Sequence, residues 1–244
     1  MAQSLFWAVL ADLRKEPPRF GMGRNYAGLP RRFKRPINVV DSTTIQLVAN
    51  CIDWARHRRR KAAAKCHMSL DLKTFLPNYA VVKTADTHDS KEAPEVCAGM
   101  KAGEVVVFYK AYVDFNHLYQ LNNREIVLVT RAKDNMAYKV TRRISKPKGK
   151  IKRDVVIKLK IKKSREEYPS EFRLVQAEIQ VDGRIEEMVF ITNNLEWSAS
   201  SICDLYKSRW GIEVFFKQLK QTLQLSDFLG YSENAVRWQI WTAL

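Results

Sequence analysis

Four residues near the C-terminal end of the chain combine charge and spacing in a way that suits chemistry on a phosphate. They are Tyr206, Arg209, Glu213 and Lys220, at offsets 0, 3, 7 and 14 within YKSRWGIEVFFKQLK. At about 100° per residue they fall within roughly 60° of one another on a helix. Ile202, Leu205, Ile212, Phe216, Leu219 and Leu223 lie mostly on the other side. The pattern predicts a helix with one face on a core and another presenting a carboxylate flanked by two cations and a phenol. Such a carboxylate suits a metal ion held beside a phosphate. A second candidate is Asp41, which follows the apolar run INVV (37–40) and precedes Ser42, Thr43 and Thr44. It reads either as the last residue of a buried strand, projecting a carboxylate, or as a helix cap or turn residue. Only a fold can bring it to Glu213.

The elements that must position these groups alternate along the chain. Residues 3–15 predict a helix. Residues 16–36 carry Pro17, Pro18, Gly21, Gly23, Gly28, Pro30, Pro36 and five arginines, an irregular basic arm. Strands are expected at INVV, in NYAVVKTADTHDS, at EVVVF (104–108) and at IVLVTRA (126–132), with helices at 91–100 and about 114–122. Strands alternating with helices argue for an α/β fold.

From 138 to 192 the pattern changes. Lys139–Lys163 holds twelve Lys or Arg and one acid, Asp154. Ile157, Leu159 and Ile161 alternate with Lys158, Lys160 and Lys162, giving a strand with an apolar and a cationic face. Val175, Ala177, Ile179 and Val181 alternate likewise, and Asp182-Gly183 signals a hairpin turn. The expectation is an inserted, mostly antiparallel β subdomain whose lysine face contacts phosphate; the alternative is a solvated strand face or an edge guarded by lysines. The organisation becomes 1–36 helix and arm, 37–137 first part of the main domain, 138–192 insertion, and 193–244 last part.

The formal charge of +16 and pI of 9.8 over 244 residues favour a polyanionic partner. Cys51, Cys66, Cys97 and Cys203 form no CxxC pair, so neither a zinc site nor a disulfide framework is expected, and a reduced, cytosolic setting is preferred. The N-terminal apolar run, broken at Asp12, reads as an amphipathic helix and not a leader. Arg56, Arg58, Arg59, Arg60, Lys61 and Lys65, with His57 and His67, form a basic cluster suited to DNA backbone contact, or else a solvated loop or helix face. His88 beside Asp89 looks like an acid–base pair but is read as structural. Ser198 is the expected N-cap of the charged helix.

The Tyr206-x2-Arg209-x3-Glu213-x6-Lys220 spacing resembles the signature of the insertion-sequence transposases of the "IS-four" group, DDE enzymes with a ribonuclease H-like fold. The resemblance also runs through LPRRFKRPINVVDSTT, WARHRRRKAAAKCH, TRAKDNMAY, VFITNN and ENAVRWQIWTAL. It implies a ribonuclease H-like mixed sheet with flanking helices and a β-rich insertion before the last acidic residue. It further implies three carboxylates binding two Mg²⁺ ions for DNA cleavage and strand transfer at insertion-sequence ends, by a protein acting as a dimer on DNA. The first carboxylate corresponds to Asp41 and the third to Glu213. Tyr206, Arg209 and Lys220 correspond to contacts with the transposon-end backbone. Trp210 is either a stacking partner for a displaced base or a core residue.

The second carboxylate is where the chain departs. In Phe108-Tyr109-Lys110-Ala111-Tyr112-Val113-Asp114-Phe115, Tyr109 stands where the resemblance expects Asp. A neutral phenol is a poor Mg²⁺ ligand, and Asp114 and Asp89 are weak substitutes. The ends also depart, and the expectation is a transposase truncated at both ends: an active enzyme, or a DNA-binding relic without catalysis. A basic RNA-binding protein is the third reading, disfavoured because RNA binding needs no carboxylate centred among cations.

Overall fold

Residues Ile37–Leu47 form β1, the strand on which the sheet is organised. Its first four residues run parallel to Val105–Phe108 (β5). Its other edge pairs antiparallel with Lys61–Asp71 (β3), from Asn38 opposite Asp71 to Leu47 opposite Ala62. The computed structural model describes residues 1–15, 33–58, 61–181, 183–222 and 228–244. Most of the arm at 16–36, together with Arg59, Arg60, Asp182 and Leu223, lies outside the described residues.

Among them the strands form one ten-stranded sheet. Arg56–Arg58 (β2) and Pro77–Thr84 (β4) both pair with β3, and Val127–Arg131 (β6) runs parallel to β5. Tyr138–Ser145 (β7), Ile151–Leu159 (β8), Phe172–Val181 (β9) and Arg184–Thr192 (β10) are antiparallel, and β10 joins them to β6. The order β4-β3-β1-β5-β6, antiparallel and then parallel, is the mixed ribonuclease H-like sheet, with the basic strands added beyond it.

Helices cover both faces. Asp89–Val96 (α2) and Phe115–Asn123 (α3) lie on one, where Val40, Val106 and Phe108 are buried. Ala2–Leu13 (α1), Ala199–Ser208 (α5), Trp210–Thr222 (α6) and Glu233–Ala243 (α7) lie on the other, over Val39, Val105 and Val107. Successive strand residues face opposite sides, which is why VVVF is apolar throughout. Lys162–Glu167 (α4) follows β8.

Four expectations change. β1 does not stop at Asp41, because β3 continues to pair with it to Leu47. The basic cluster, for which a solvated loop or helix face is the alternative to DNA contact, runs into a strand: Lys61–Asp71 is paired on both sides, by β1 and β4, so pairing overrides local helix propensity. The strand with the lysine alternation ends at Leu159; Ile161 is exposed and Lys162 opens α4, so Lys162 does not share a strand face with Lys158. The signature helix is two helices, α5 and α6, meeting at Arg209.

Candidate active site

Asp41 sits at the point where β1 loses one neighbour. β5 ends at Phe108 opposite Val40, and the Tyr109 amide makes a last contact to the Val40 carbonyl at 3.4 Å. Beyond it that edge of β1 has no strand partner among the described residues, and Asp41 and Tyr109 follow the strand alternation onto the α5–α6 side. A cleft of about 530 Å³ opens there between Asp41, Thr43 and Tyr109 on the sheet and Glu213, Lys217 and Lys220 on α6.

The placement of α5 and α6 has identifiable causes. Ser198 caps α5, its Oγ accepting from the Ser201 amide at 3.1 Å. Just before it, Arg173 on β9 donates from Nη1 to the Trp197 carbonyl. Arg173 is only 2% exposed and is held bidentately by Asp154 on β8, at 2.7 and 2.9 Å, while Ser145 donates to the same carboxylate at 2.7 Å. The one acid of the lysine-rich stretch is thus spent on a buried ion pair that clamps the entry to the signature helices.

Arg209 lies at the junction. Its Nη1 donates to Asp41 Oδ2 at 2.8 Å and also ion-pairs with Glu213 Oε1. Its guanidinium carbon lies 5.2 Å from the centre of the Tyr109 ring and 5.5 Å from that of Tyr206, so it rests between two π faces. Among the described residues its buried Nε has no hydrogen-bond partner. Burial disfavours the Arg209 charge, but Asp41, Tyr206 and Glu213 together more than offset this and raise its pKa.

Asp41 is 7% exposed. Its Oδ1 accepts the Ser42 amide at 2.8 Å. Burial raises its pKa from 3.8 to about 6; Arg209 and the Ser42 amide pull it down, and Glu213 pushes it up. Tyr206 is buried, with its ring 4.8 Å from Phe190, so it supports Arg209 from beneath rather than standing on the open face. Trp210 is 46% exposed, which removes the core reading for it. Lys220 lines the cleft, and burial lowers its pKa. Lys217 also lines it; its position one turn after Glu213 was the available signal, and sequence reasoning did not use it.

Neither substitute carboxylate reaches this cleft. Asp114 caps α3, accepting the His117 amide at 2.9 Å. Asp89 lies on the opposite sheet face, where Ser42 Oγ and Lys65 Nζ each donate to it at 3.0 Å. There His67 is buried, its Nδ1 2.7 Å from the Tyr112 hydroxyl, and burial lowers its pKa to about 4. Lys65 and His67 therefore leave the basic cluster, and the partners of Asp89 are Ser42, Lys65 and His67 rather than His88. Lys158 is exposed at the end of β8, Lys160 just beyond it, and Lys162 on α4.

A two-ion Mg²⁺ site is poorly matched by these residues. Hard cations of this kind need several oxygen ligands that offset their charge. Among the described residues no group of three or more His, Cys, Asp and Glu is placed to hold a metal. The two carboxylates present are both engaged by a guanidinium, and a phenol stands beside them.

A ribonuclease H-like sheet with acidic residues at the open edge of its central strand and on the last helices is the framework of DDE-type phosphoryl-transfer proteins. The transposase DDE domain family matches residues 32–244, and the chain belongs to it. It is 31% identical over 215 residues to a probable transposase for an insertion sequence element of Geobacillus stearothermophilus, covering 87% of this chain and 55% of that protein. Relatives from Sinorhizobium fredii (29% over 219 residues, 88% and 60% covered) and Synechocystis (28% over 187 residues, 74% and 50% covered) also carry transposase names. The chain thus spans between half and three fifths of the length of these relatives. Among solved structures, a piggyBac transposase synaptic complex with hairpin DNA aligns at a TM-score of 0.48 and 10% identity, over 85% of this chain and 45% of that one.

Proposed function

We propose that this chain is a DNA-binding transposase domain whose cleft no longer carries out the Mg²⁺-dependent cleavage and strand transfer of its family. The carrying observation is the contact set of Arg209: it engages both Asp41 and Glu213 while Tyr109, at the position read as the second Asp, offers a ring face in place of a carboxylate. The DNA-binding part rests on the net charge of +16 and on Lys217 and Lys220 beside the cleft. Arg209 and Trp210 at the helix junction are the residues proposed to meet the transposon end, with the buried Tyr206 holding Arg209 from beneath. Arg58, Arg59 and Arg60, and Lys158, Lys160 and Lys162 on the 138–192 insertion, extend the contact to flanking duplex. The domain division at 37, 138 and 193, a dimer on DNA and a cytoplasmic, nucleoid-associated setting belong to the same reading. Among the described residues no helix is long and apolar enough to cross a membrane.

The competing reading keeps catalysis, with Mg²⁺ on Asp41 and Glu213. The purified chain, mixed with a duplex carrying the element's end, separates the two. The expected result is binding that weakens steeply with salt and no nicking with Mg²⁺ or Mn²⁺. Metal-dependent nicking that disappears in Glu213→Gln would establish the competing reading, and binding insensitive to salt would sink both.

A further inference from the structure

We propose that Arg209 is the resident cation of the cleft: its guanidinium occupies the place between Asp41 and Glu213, so a divalent ion can bind there only by displacing it. This deepens the proposed function, resting on its reading of Asp41 and Glu213 as the acidic pair of the site. Three observations carry it.

The first is geometric. One nitrogen, Nη1, contacts a carboxylate oxygen from β1 and another from α6. A cation bridging the two carboxylates would compete for those oxygens, because the other Asp41 oxygen, Oδ1, already accepts the Ser42 amide. The second is mechanical. Arg209 stands where α5 ends and α6 begins, with its amide bonded to the Tyr206 carbonyl at 3.1 Å and its carbonyl to the Ile212 amide at 3.1 Å. Its side chain is half-enclosed between the Tyr109 and Tyr206 rings. Those faces favour a planar, weakly hydrated cation over a compact, strongly hydrated one. Tyr109 therefore does more than remove a ligand: it adds a wall that suits the guanidinium.

The third is charge. Asp41 and Glu213 are balanced against Arg209, Lys217 and Lys220, so three cationic groups already face two carboxylates. Adding a divalent ion without moving Arg209 would crowd positive charge into a partly desolvated site, where repulsion is poorly screened. Placing an anion there meets no such penalty.

The test is a Mn²⁺ titration of the full chain without DNA, read by the loss of free-ion signal in electron paramagnetic resonance. The wild-type chain should bind Mn²⁺ weakly at this site. Arg209→Gln should bind at least about tenfold more tightly, and adding Glu213→Gln should abolish the gain. Equal Mn²⁺ affinity of the wild type and Arg209→Gln, with both giving a cooperative thermal melt, would overturn the proposal. Where Arg209→Gln fails to fold, Arg209→Met carries the test. It keeps an unbranched side chain between the two rings and removes the charge, so a gain in affinity supports the proposal and none overturns it. The titration contains no DNA. Loss of salt-dependent DNA binding with the Mn²⁺ gain intact would refute the proposed function alone; the converse would refute this inference alone.

Discussion

Arg209 and Asp41 stand 168 residues apart in the chain and are joined by a 2.8 Å charge-assisted hydrogen bond between the open edge of the central strand and the junction of two helices. The bond ties the first strand of the sheet to two of the last helices, and it depends on the α5–α6 pair being seated correctly on the sheet. That seating is controlled from the far strands, through Asp154, Arg173 and the Trp197 carbonyl.

The Asp154–Arg173 pair should accordingly be costly to break and mild to replace. Arg173→Met leaves a buried carboxylate without its counter-ion and the Trp197 carbonyl without its donor, and is expected to destabilise the chain by about 3–5 kcal/mol. Adding Asp154→Leu should recover most of that loss. Urea titration of both single variants and the double gives the coupling energy. A cycle in which the two losses simply add would mean the pair is not the unit that holds α5.

The site was only partly legible from sequence. The apolar runs at 37–40, 104–108 and 126–132, the antiparallel 138–192 segment and the Ser198 cap follow from local patterns, and each recurs in the fold. Gly183, in the predicted hairpin turn, has φ of +78°, the left-handed backbone that glycine tolerates. Local pattern has no access to the break at Arg209, because apolar spacing continues at the helical period through the junction. Nor could it place Lys162, since the residue alternation outlasts the strand pairing that gives it meaning. Lys65 and His67 look exposed in a run of arginines, yet pairing with β1 and β4 turns them inward toward α2. The bridging of Asp41 and Glu213 by one guanidinium arises from tertiary packing alone.

Asp41 predicts a pH dependence with a definite sign. Its unfolded carboxylate titrates near 3.8 and its folded one at about 6, chiefly because of burial. Between those values the folded chain holds the proton more tightly. Protonation of Asp41 therefore favours folding, with the benefit complete below about pH 4 and gone once pH has risen past about 6. The gap corresponds to about 3 kcal/mol as an upper bound. Asp41→Asn removes this titration. The stability of the wild type relative to Asp41→Asn should fall by up to that amount between pH 4 and pH 7, in urea titrations at constant ionic strength. A relative stability that rises with pH would show that attraction to Arg209 outweighs burial.

Tyr109→Asp should restore a third carboxylate to the cleft. Calorimetry should then register tighter Mn²⁺ binding than in the wild type, by about tenfold or about 1.4 kcal/mol. The gain should grow when Arg209→Gln is added, because the competing cation is gone. No gain in either background would mean that the Tyr109 side chain does not face the acidic pair.

The basic surfaces differ in how far they lie from the cleft, and that makes the DNA contact testable by duplex length. Lys217 and Lys220 line the cleft itself. Lys158 lies on β8, five strand spacings from β1 in the sheet order, or about 24 Å at about 4.8 Å each. At about 3.4 Å per base pair, about seven base pairs span that distance. Lys217→Gln and Lys220→Gln should each reduce the salt slope of binding by about 1 on duplexes of any length. Lys158→Gln should do so only on duplexes clearly longer than about seven base pairs that are anchored at the cleft. Fluorescence anisotropy over a range of salt and duplex lengths measures both. If Lys158→Gln affected the shortest duplexes as much as the longest, the two surfaces would be binding DNA independently, and a continuous track from the cleft to the basic strands would be wrong.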